Sequence, residues 1–324
     1  MACGPPQGTV DGGVFADASV VDAGQLASSD GGTWLALPSL PRPQQECGVA
    51  ALNGAVYVVG GFGPQGALLS DVNRYDVDAG RWSAVRPLPR ALHHVNVAAL
   101  DGKLYALGNL EGGGFAARGD VFEYEPAADT WTVRAPLPAG TERGGSAMGV
   151  IGGEIIVAGG YRAGRAVTDM TAYAPSSNTH RVLPPLPVAT EHVVGGAVGT
   201  QLFVIGGRDG AITSVTQRVF IYDSATSRWT SGPDLPTARA GHAAAVVGTR
   251  IVVVGGEGNA AVSSGVFAQT EVLETTSLTW TNGTPMRSPR HGTGAATVGT
   301  LVIVPGGAGV EGLGPVAIVD AFSL

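Results

Sequence analysis

The chain has 324 residues, 44% of them hydrophobic, so it can bury a core without help from disulfides or metal ions. Its net charge is −7 and it has no Lys/Arg-rich run, which argues against a nucleic-acid partner. No apolar stretch reaches the length of a membrane-spanning helix, and two cysteines are too few for a disulfide framework. Fifty-one glycines and a charged fraction of only 14% indicate many short strands joined by tight turns.

Residues 1–32 are rich in Gly, Asp, Ser and Ala, and their composition predicts a flexible tether. Within them, Ala2-Cys3-Gly4 followed by two prolines resembles the start of a mature bacterial lipoprotein, which implies lipidation of Cys3 and a membrane tether outside the cytoplasm. The hydrophobic signal that would precede such a cysteine is absent, so this interpretation requires a trimmed sequence or a late start codon. The alternative is an inert, exposed cysteine.

From residue 33 onward the chain repeats. Five apolar runs end in a glycine doublet, and the first glycine of each doublet stands at position 60, 159, 206, 255 or 306. Gly108-Asn109 is a decayed copy of the doublet, so the period of the repeat is 47 to 51 residues. A second column contains every tryptophan in the chain; it consists of Trp34, Trp82, Trp131, His180, Trp229 and Trp280. Seven residues before the last five of these stand Tyr75, Tyr124, Tyr173, Tyr222 and Leu273.

Each period predicts four strands, a to d, as the fifth copy illustrates. Its strands are predicted at 241–247, 250–255, 266–274 and 279–282, separated by turn residues. Trp34 lies in a lone strand d, whereas the C-terminus supplies strands a, b and c at 293–298, 301–305 and 316–322 and no d. The last sheet is therefore predicted to be composite, closed by the N-terminal strand.

The repeat resembles the Kelch motif, in which a hydrophobic strand pair and a Gly-Gly doublet precede Tyr-Asp and Trp about seven residues apart. Here VYVVGG pairs with RYDVDAGRW, and LFVIGG with IYDSATSRW. The resemblance covers nearly the whole chain from Trp34 and implies an all-β, six-bladed β-propeller of four-stranded blades over residues 33–324. It also implies binding of a ligand or a protein on the face where the d-to-a connections and b-to-c loops meet. We expect the protein to be a monomer. No cofactor is expected.

Charged and aromatic residues concentrate in those segments. The predicted ligand-binding residues are His93, His94, Arg143, His192, Arg239, His242, Arg290 and His291 before strand a, with Tyr161, Arg162 and Arg208 from the b-to-c loops. Glu46 and Glu257 lie in the same segments but are not selected.

The arginines support two interpretations. Arg143, Arg239 and Arg290 all stand sixteen residues before their doublets, so three guanidiniums converging on the channel mouth would bind a small acidic ligand. Alternatively, they are structural residues that hydrogen-bond neighbouring loops. A metal site is not expected, because successive strand residues face opposite ways, so His93 and His94 cannot both face the channel.

An enzyme is the alternative to a binding module. Bacterial sialic acid mutarotases are six-bladed Kelch propellers of the periplasm, and acid–base work on a sugar acid needs carboxylate, imidazole and arginine together. Glu191 and His192, beside the arginine column, supply these types and are the candidate catalytic residues.

Overall fold

The computed structural model describes residues 31–324 as six four-stranded antiparallel sheets, which confirms the predicted all-β propeller. In chain order, the first half contains β1 Thr33–Leu37, β2 Gly48–Leu52, β3 Ala55–Val59, β4 Val72–Asp76, β5 Arg81–Val85, β6 Val97–Leu100, β7 Lys103–Glu111, β8 Ala116–Glu125, β9 Thr130–Arg134, β10 Ala147–Ile151, β11 Glu154–Ala158, β12 Tyr161–Arg162 and β13 Arg165–Ala166. The second half contains β14 Met170–Ala174, β15 Thr179–Val182, β16 Val194–Val198, β17 Gln201–Ile205, β18 Val219–Asp223, β19 Arg228–Ser231, β20 Ala243–Val247, β21 Arg250–Val254, β22 Thr270–Glu274, β23 Thr279–Asn282, β24 Ala296–Val298, β25 Leu301–Pro305 and β26 Val319–Ser323.

The blades follow the repeat. Blades one to five have the strand orders β2-β3-β4-β5, β6-β7-β8-β9, β10-β11-β14-β15, β16-β17-β18-β19 and β20-β21-β22-β23. The innermost strands β2, β6, β10, β16, β20 and β24 contact one another in sequence, and β24 returns to β2. This circle of contacts closes the propeller around a central channel. Within residues 31–324 the one helical element is a 3₁₀ turn at Pro64–Gly66, and no helix of these residues is long and apolar enough to cross a membrane.

Blade six is composite, as predicted. Its order is β1-β26-β25-β24, and β1 pairs antiparallel with β26 so that Trp34 lies opposite Phe322. Trp34 is buried, and its ring lies 5.1 Å from that of Phe322. Residues 31–32, predicted to belong to the tether, instead meet blade five, where Thr284 donates to the carbonyls of Gly31 and Gly32 at 2.6 Å. Cys3 and the rest of the predicted tether lie outside the described residues.

The tryptophan column joins neighbouring blades. The indole N–H of Trp82 donates to the carbonyl of Pro38 at 2.8 Å, and that of Trp229 to Pro184 at 3.0 Å, in each case one blade back. His180 keeps this contact, since its Nε2 lies 2.8 Å from the carbonyl of Ala135. The residue that breaks the tryptophan column therefore preserves its hydrogen bond.

The glycine doublets lie where the next blade comes close. Gly60 has φ 62° and Gly61 has φ 101°, and a Cβ on Gly60 would lie 2.5 Å from the carbonyl oxygen of Leu92. The N–H of Gly61 donates to that same oxygen at 2.7 Å. Close approach of the next blade and positive φ therefore both require glycine at this position.

Strands a and c begin later than predicted. In the fifth blade β20 begins at Ala243 and β22 at Thr270, whereas 241 and 266 were expected. The chain before β20 is not extended, since Gly241 has φ 59°. This bend before each strand a places the side chains of the site described next.

Candidate functional site

The central channel is a cavity of about 580 Å³ lined by the six innermost strands. Its walls are mostly Gly, Ala and Val, so most of its polar groups lie near one end, where the chain enters each strand a. One residue of each blade borders that end; these are Glu46, His94, Gly145, His192, Gly241 and Gly292, each fourteen residues before its doublet position.

These six residues share one backbone conformation, with φ between 46° and 64°. Five of the six neighbouring pairs are linked by a backbone hydrogen bond, as where the N–H of His94 donates to the carbonyl of Glu46 at 2.8 Å and that of Gly145 to the carbonyl of His94 at 3.1 Å. The N–H of Glu46 donates to the carbonyl of Gly292, which links blade one to blade six. Left-handed backbone favours glycine, yet three blades carry Glu46, His94 and His192 there. Strained side chains of this kind concentrate at functional sites.

The side chains of these three residues meet across the channel. The Nε2 atom of His94 lies 2.8 Å from the Nε2 atom of His192 and 3.3 Å from Oε2 of Glu46. On its other side the His192 ring contacts the carboxylate of Glu191 through Nδ1. The glycines of the remaining blades leave the room for this, since a Cβ on Gly292 would lie 2.6 Å from Oε1 of Glu46.

Four further contacts complete a circuit. Arg208 donates from Nε to Glu191 at 2.7 Å and from Nη1 to Glu257 at 2.5 Å. His291 Nδ1 lies 3.4 Å from Oε2 of Glu257 and 3.9 Å from Oε1 of Glu46. We call this circuit the ionisable ring; its members are Glu46, His94, His192, Glu191, Arg208, Glu257 and His291.

His93 extends the ring toward the b-to-c loops. Its Nδ1 lies 2.6 Å from Nδ1 of His94, and its Nε2 lies 3.1 Å from the carbonyl oxygen of Gly112. The rings of Phe62 and Phe115 pack on His93, with centroids 4.2 and 4.8 Å away. This aromatic cover separates the imidazoles from solvent on the loop side.

Burial perturbs the ring. It raises the pKa of Glu46 to about 7, an effect that His291 partly opposes. It lowers the pKa of His94 to about 3, with help from the positive charge of Arg208. Burial also holds the pKa of His192 well below its usual range. His94 and His192 are therefore neutral at physiological pH, and Glu46, the most exposed member at 12%, exchanges a proton near pH 7.

The predicted arginine cluster does not form. Arg143, Arg239 and Arg290 are at most 1% exposed, and each guanidinium turns back into its own blade. Arg143 donates to the carbonyls of Gly159 and Val157. The other two pair with carboxylates, Arg239 with Glu271 and Arg290 with Asp320. The expectation that three guanidiniums converge at the channel mouth is therefore wrong, and the structural interpretation describes these residues.

The argument against clustered imidazoles does not hold, although His94 borders the channel and His93 does not, as expected. It assumed that His93 and His94 are successive strand residues, but His94 lies before β6 with φ 50°, so the alternation of a strand does not apply. Both rings point toward the same cluster. The signal was present in the sequence, since Glu46, His94 and His192 share one column of the repeat.

The other predicted residues divide between the ring and its surroundings. His192, Arg208 and His291 belong to the ring, together with Glu46 and Glu257, which were not selected from the sequence. Elsewhere, His242 borders the channel, is buried and contacts the carbonyl oxygen of Ile205 at 3.1 Å. Tyr161 and Arg162 lie on the loop hairpin of blade three, where Arg162 pairs with Asp169 at 2.8 Å.

Glu46, His94 and His192 are also suited to a metal ion. One ligand atom from each lies within 4.8 Å of the others. Two imidazoles and one carboxylate form a common set of protein ligands for divalent transition metals.

Fold and site together define a six-bladed propeller with a polar cluster at one end of its channel. The Kelch motif model matches residues 45–89, 142–187, 192–236 and 238–287. The Kelch-like protein terF of Aspergillus terreus is 31% identical over 311 residues, which cover 90% of this chain and 68% of that protein. The chain therefore belongs to the Kelch-repeat family. A solved structure titled "Structure of YjhT" superposes with a TM-score of 0.73 at 17% identity, covering 88% of this chain and 95% of the other, and shows the same fold.

Proposed function

We propose that this Kelch propeller binds a small polar molecule in its central channel, against the ionisable ring. Kelch propellers typically bind proteins or small ligands, and the ring is the observation that favours a ligand here. A channel of about 580 Å³ is within the size range of small-molecule sites. Its mostly aliphatic walls and one polar end resemble such sites, which are lined by apolar groups with a few polar ones for orientation.

The charge of the ring favours a neutral or cationic ligand. The ring holds three carboxyl groups and one guanidinium, and Arg208 is already shared between Glu191 and Glu257. Glu46, which borders the channel, therefore offers its carboxyl group to a hydrogen-bond donor or a positive charge. A small acidic ligand, predicted from the arginine column, loses its support because those arginines lie inside the blades.

Thermal shift with a panel of neutral polyols, amines and sugar acids tests this proposal. A ligand that stabilises the wild-type protein should lose most of its effect in Glu46→Gln, because the variant removes the negative charge at the channel end without changing side-chain size. Glu154→Gln is the matched control, since Glu154 pairs with Arg181 on the outer surface. No stabilisation by any class, or equal stabilisation of wild type and Glu46→Gln, contradicts the proposal.

Protein binding is the second candidate function, and an apolar surface on the b-to-c loops favours it. Leu68, Val262, Val310 and Leu313 are exposed there, on blades one, five and six. These loops touch, since the backbone N–H of Glu311 donates to the carbonyl of Ser264 at 2.7 Å and a Cβ on Gly66 would lie 3.7 Å from Leu313. In pull-downs, a bound protein that is lost with Leu313→Asp but retained by Glu46→Gln would place recognition on these loops.

The sugar-acid enzyme is a weaker proposal. Glu191 and His192 do lie together, but Glu191 contacts His192 through one oxygen and Arg208 through the other, and no member of the arginine column joins them. Turnover of a sugar acid that disappears in Glu191→Gln would support it.

The location outside the cytoplasm rests on the sequence around Cys3 alone, and labelling by a radioactive fatty acid, abolished in Cys3→Ser, tests it.

A further inference from the structure

Three imidazoles form a chain of contacts between two hydrogen-bond acceptors. The chain begins at the carbonyl oxygen of Gly112, passes through His93, His94 and His192, and ends at the carboxylate of Glu191. It contains four contacts, and a hydrogen bond in each requires one proton. Three neutral imidazoles carry three N–H groups, so one contact lacks a proton.

The contact between His94 and His192 is the one that lacks a proton. If His93 donates to Gly112, its Nδ1 is an acceptor, so His94 must donate from Nδ1 and keep a bare Nε2. If His192 donates from Nδ1 to Glu191, its Nε2 is bare as well. Two lone pairs then face each other at 2.8 Å.

We propose that a divalent transition-metal ion binds between Nε2 of His94, Nε2 of His192 and the carboxylate of Glu46. A cation there takes both lone pairs, and the three remaining N–H groups satisfy the three remaining contacts. All three imidazoles are then neutral and fully hydrogen-bonded, which no arrangement of three protons achieves without the ion.

A second observation points to the same place. The Nε2 of His291 contacts the carbonyl oxygen of Val310 at 2.9 Å, so this nitrogen is the donor. Nδ1 has no hydrogen-bond partner in the structure, and the residue is 1% exposed. It faces Glu257 and Glu46, both of them acceptors. The Glu46 side of the ring therefore also contains a buried nitrogen whose hydrogen-bonding capacity is not used.

The surroundings are arranged as an outer shell of ligands. Metal-bound histidines commonly donate their second N–H to a carboxylate, and Nδ1 of His192 contacts Glu191, which Arg208 holds at 2.7 Å. The proposed ligands themselves are the three side chains that occupy left-handed positions where the other blades have glycine. A ligand role accounts for their retention there.

Imidazole and carboxylate ligands suit Zn²⁺ and its neighbours rather than Ca²⁺ or Mg²⁺. In a tetrahedral zinc site two nitrogens lie about 3.3 Å apart, so the two Nε2 atoms would separate by about half an ångström. Three protein ligands leave a coordination position facing the channel. This inference goes beyond the proposed function, and it stands without an organic ligand.

Titration of chelator-treated full-length protein with Co²⁺, followed by visible absorption and then displaced by Zn²⁺, tests the site. We expect saturation at one equivalent with a ligand-field band of four- or five-coordinate cobalt. His94→Asn and His192→Asn should abolish the band, because asparagine tolerates left-handed backbone but removes the imidazole. Glu191→Gln should weaken binding about 10- to 100-fold. His180→Asn, outside the ring, is the matched control and should bind as wild type.

Circular dichroism shows whether each variant folds, and Glu46→Gln, which leaves all three histidines in place, should still lower the affinity if a histidine variant unfolds. Wild-type protein that binds neither Co²⁺ nor Zn²⁺ saturably, or binding unchanged in folded histidine variants and in Glu46→Gln, would overturn the inference. Because metal alone is the probe, this outcome is separate from the ligand panel.

Discussion

At the scale of single residues, the site depends on a column that most blades fill with glycine. The backbone turn before strand a is left-handed in all six blades, and it is unstrained at Gly145, Gly241 and Gly292. At His94 and His192 the same turn carries a side chain and stores strain of about 1 kcal/mol or more each. The column can be recognised in the sequence once the copies are aligned on the doublet. Its backbone conformation cannot be predicted from the sequence, because one or two residues do not distinguish a strand from a turn.

For the buried arginines, the sequence predicts the position in the repeat but not the direction of the side chain. Sequence spacing places Arg239 in its column but does not say whether the side chain points to the channel or into the blade. The carboxylate that decides this, Glu271, is 32 positions away and lies on strand c. A long-range partner of this kind cannot be recognised from one column alone.

Arg239→Ala should therefore destabilise the fold rather than weaken ligand binding. Removing the guanidinium leaves Glu271 buried without its partner, which costs about 3–5 kcal/mol of unfolding free energy. Urea denaturation measures this. The control Arg181→Ala breaks a solvent-exposed pair with Glu154 and should cost no more than about 1 kcal/mol. Equal effects of the two changes would contradict the burial described for Arg239.

At the scale of strands, the sequence predicted the architecture because each element carries its own signal. The tyrosine and tryptophan columns become cross-strand pairs, such as Tyr75 with Trp82, whose ring centroids are 4.9 Å apart. The sequence also predicted the positions of strands b and d and of the hairpin turns, since local alternation and turn residues define them. Strand starts were placed less well, as at Ala243, because the bend there depends on contacts with the adjacent blade.

Strand β1 is expected to stabilise blade six, and its deletion tests this. Deleting residues 1–37 removes Trp34 from its contact with Phe322 and leaves β26 as an edge strand. Loss of a buried tryptophan costs about 3–5 kcal/mol, and an exposed edge promotes association. Deletion of 1–30, which keeps β1, is the control. Urea midpoints and light scattering compare the two, and equal midpoints would show that β1 does not hold blade six.

At the scale of the molecule, the ring exists only because the propeller closes. Its members come from blades one, two, four, five and six, and they meet because strands a surround one axis. The repeat predicted that these segments share a face. It did not predict which side chains touch, since that depends on the tilt of each turn and on the glycines that leave room, such as Gly292 beneath Glu46.

The composite blade also sets the order in which the chain can fold. Five blades are built from contiguous segments, so each can form from local hairpins as soon as its own residues are available. Blade six requires Thr33 to pair with Ser323 in the sheet, and this pairing closes a loop of nearly the whole described chain. Contacts of such long sequence separation carry the largest loop-closure entropy and form slowly. Docking of β1 is therefore expected to be a late step in folding, in which the outer edge of blade six is completed.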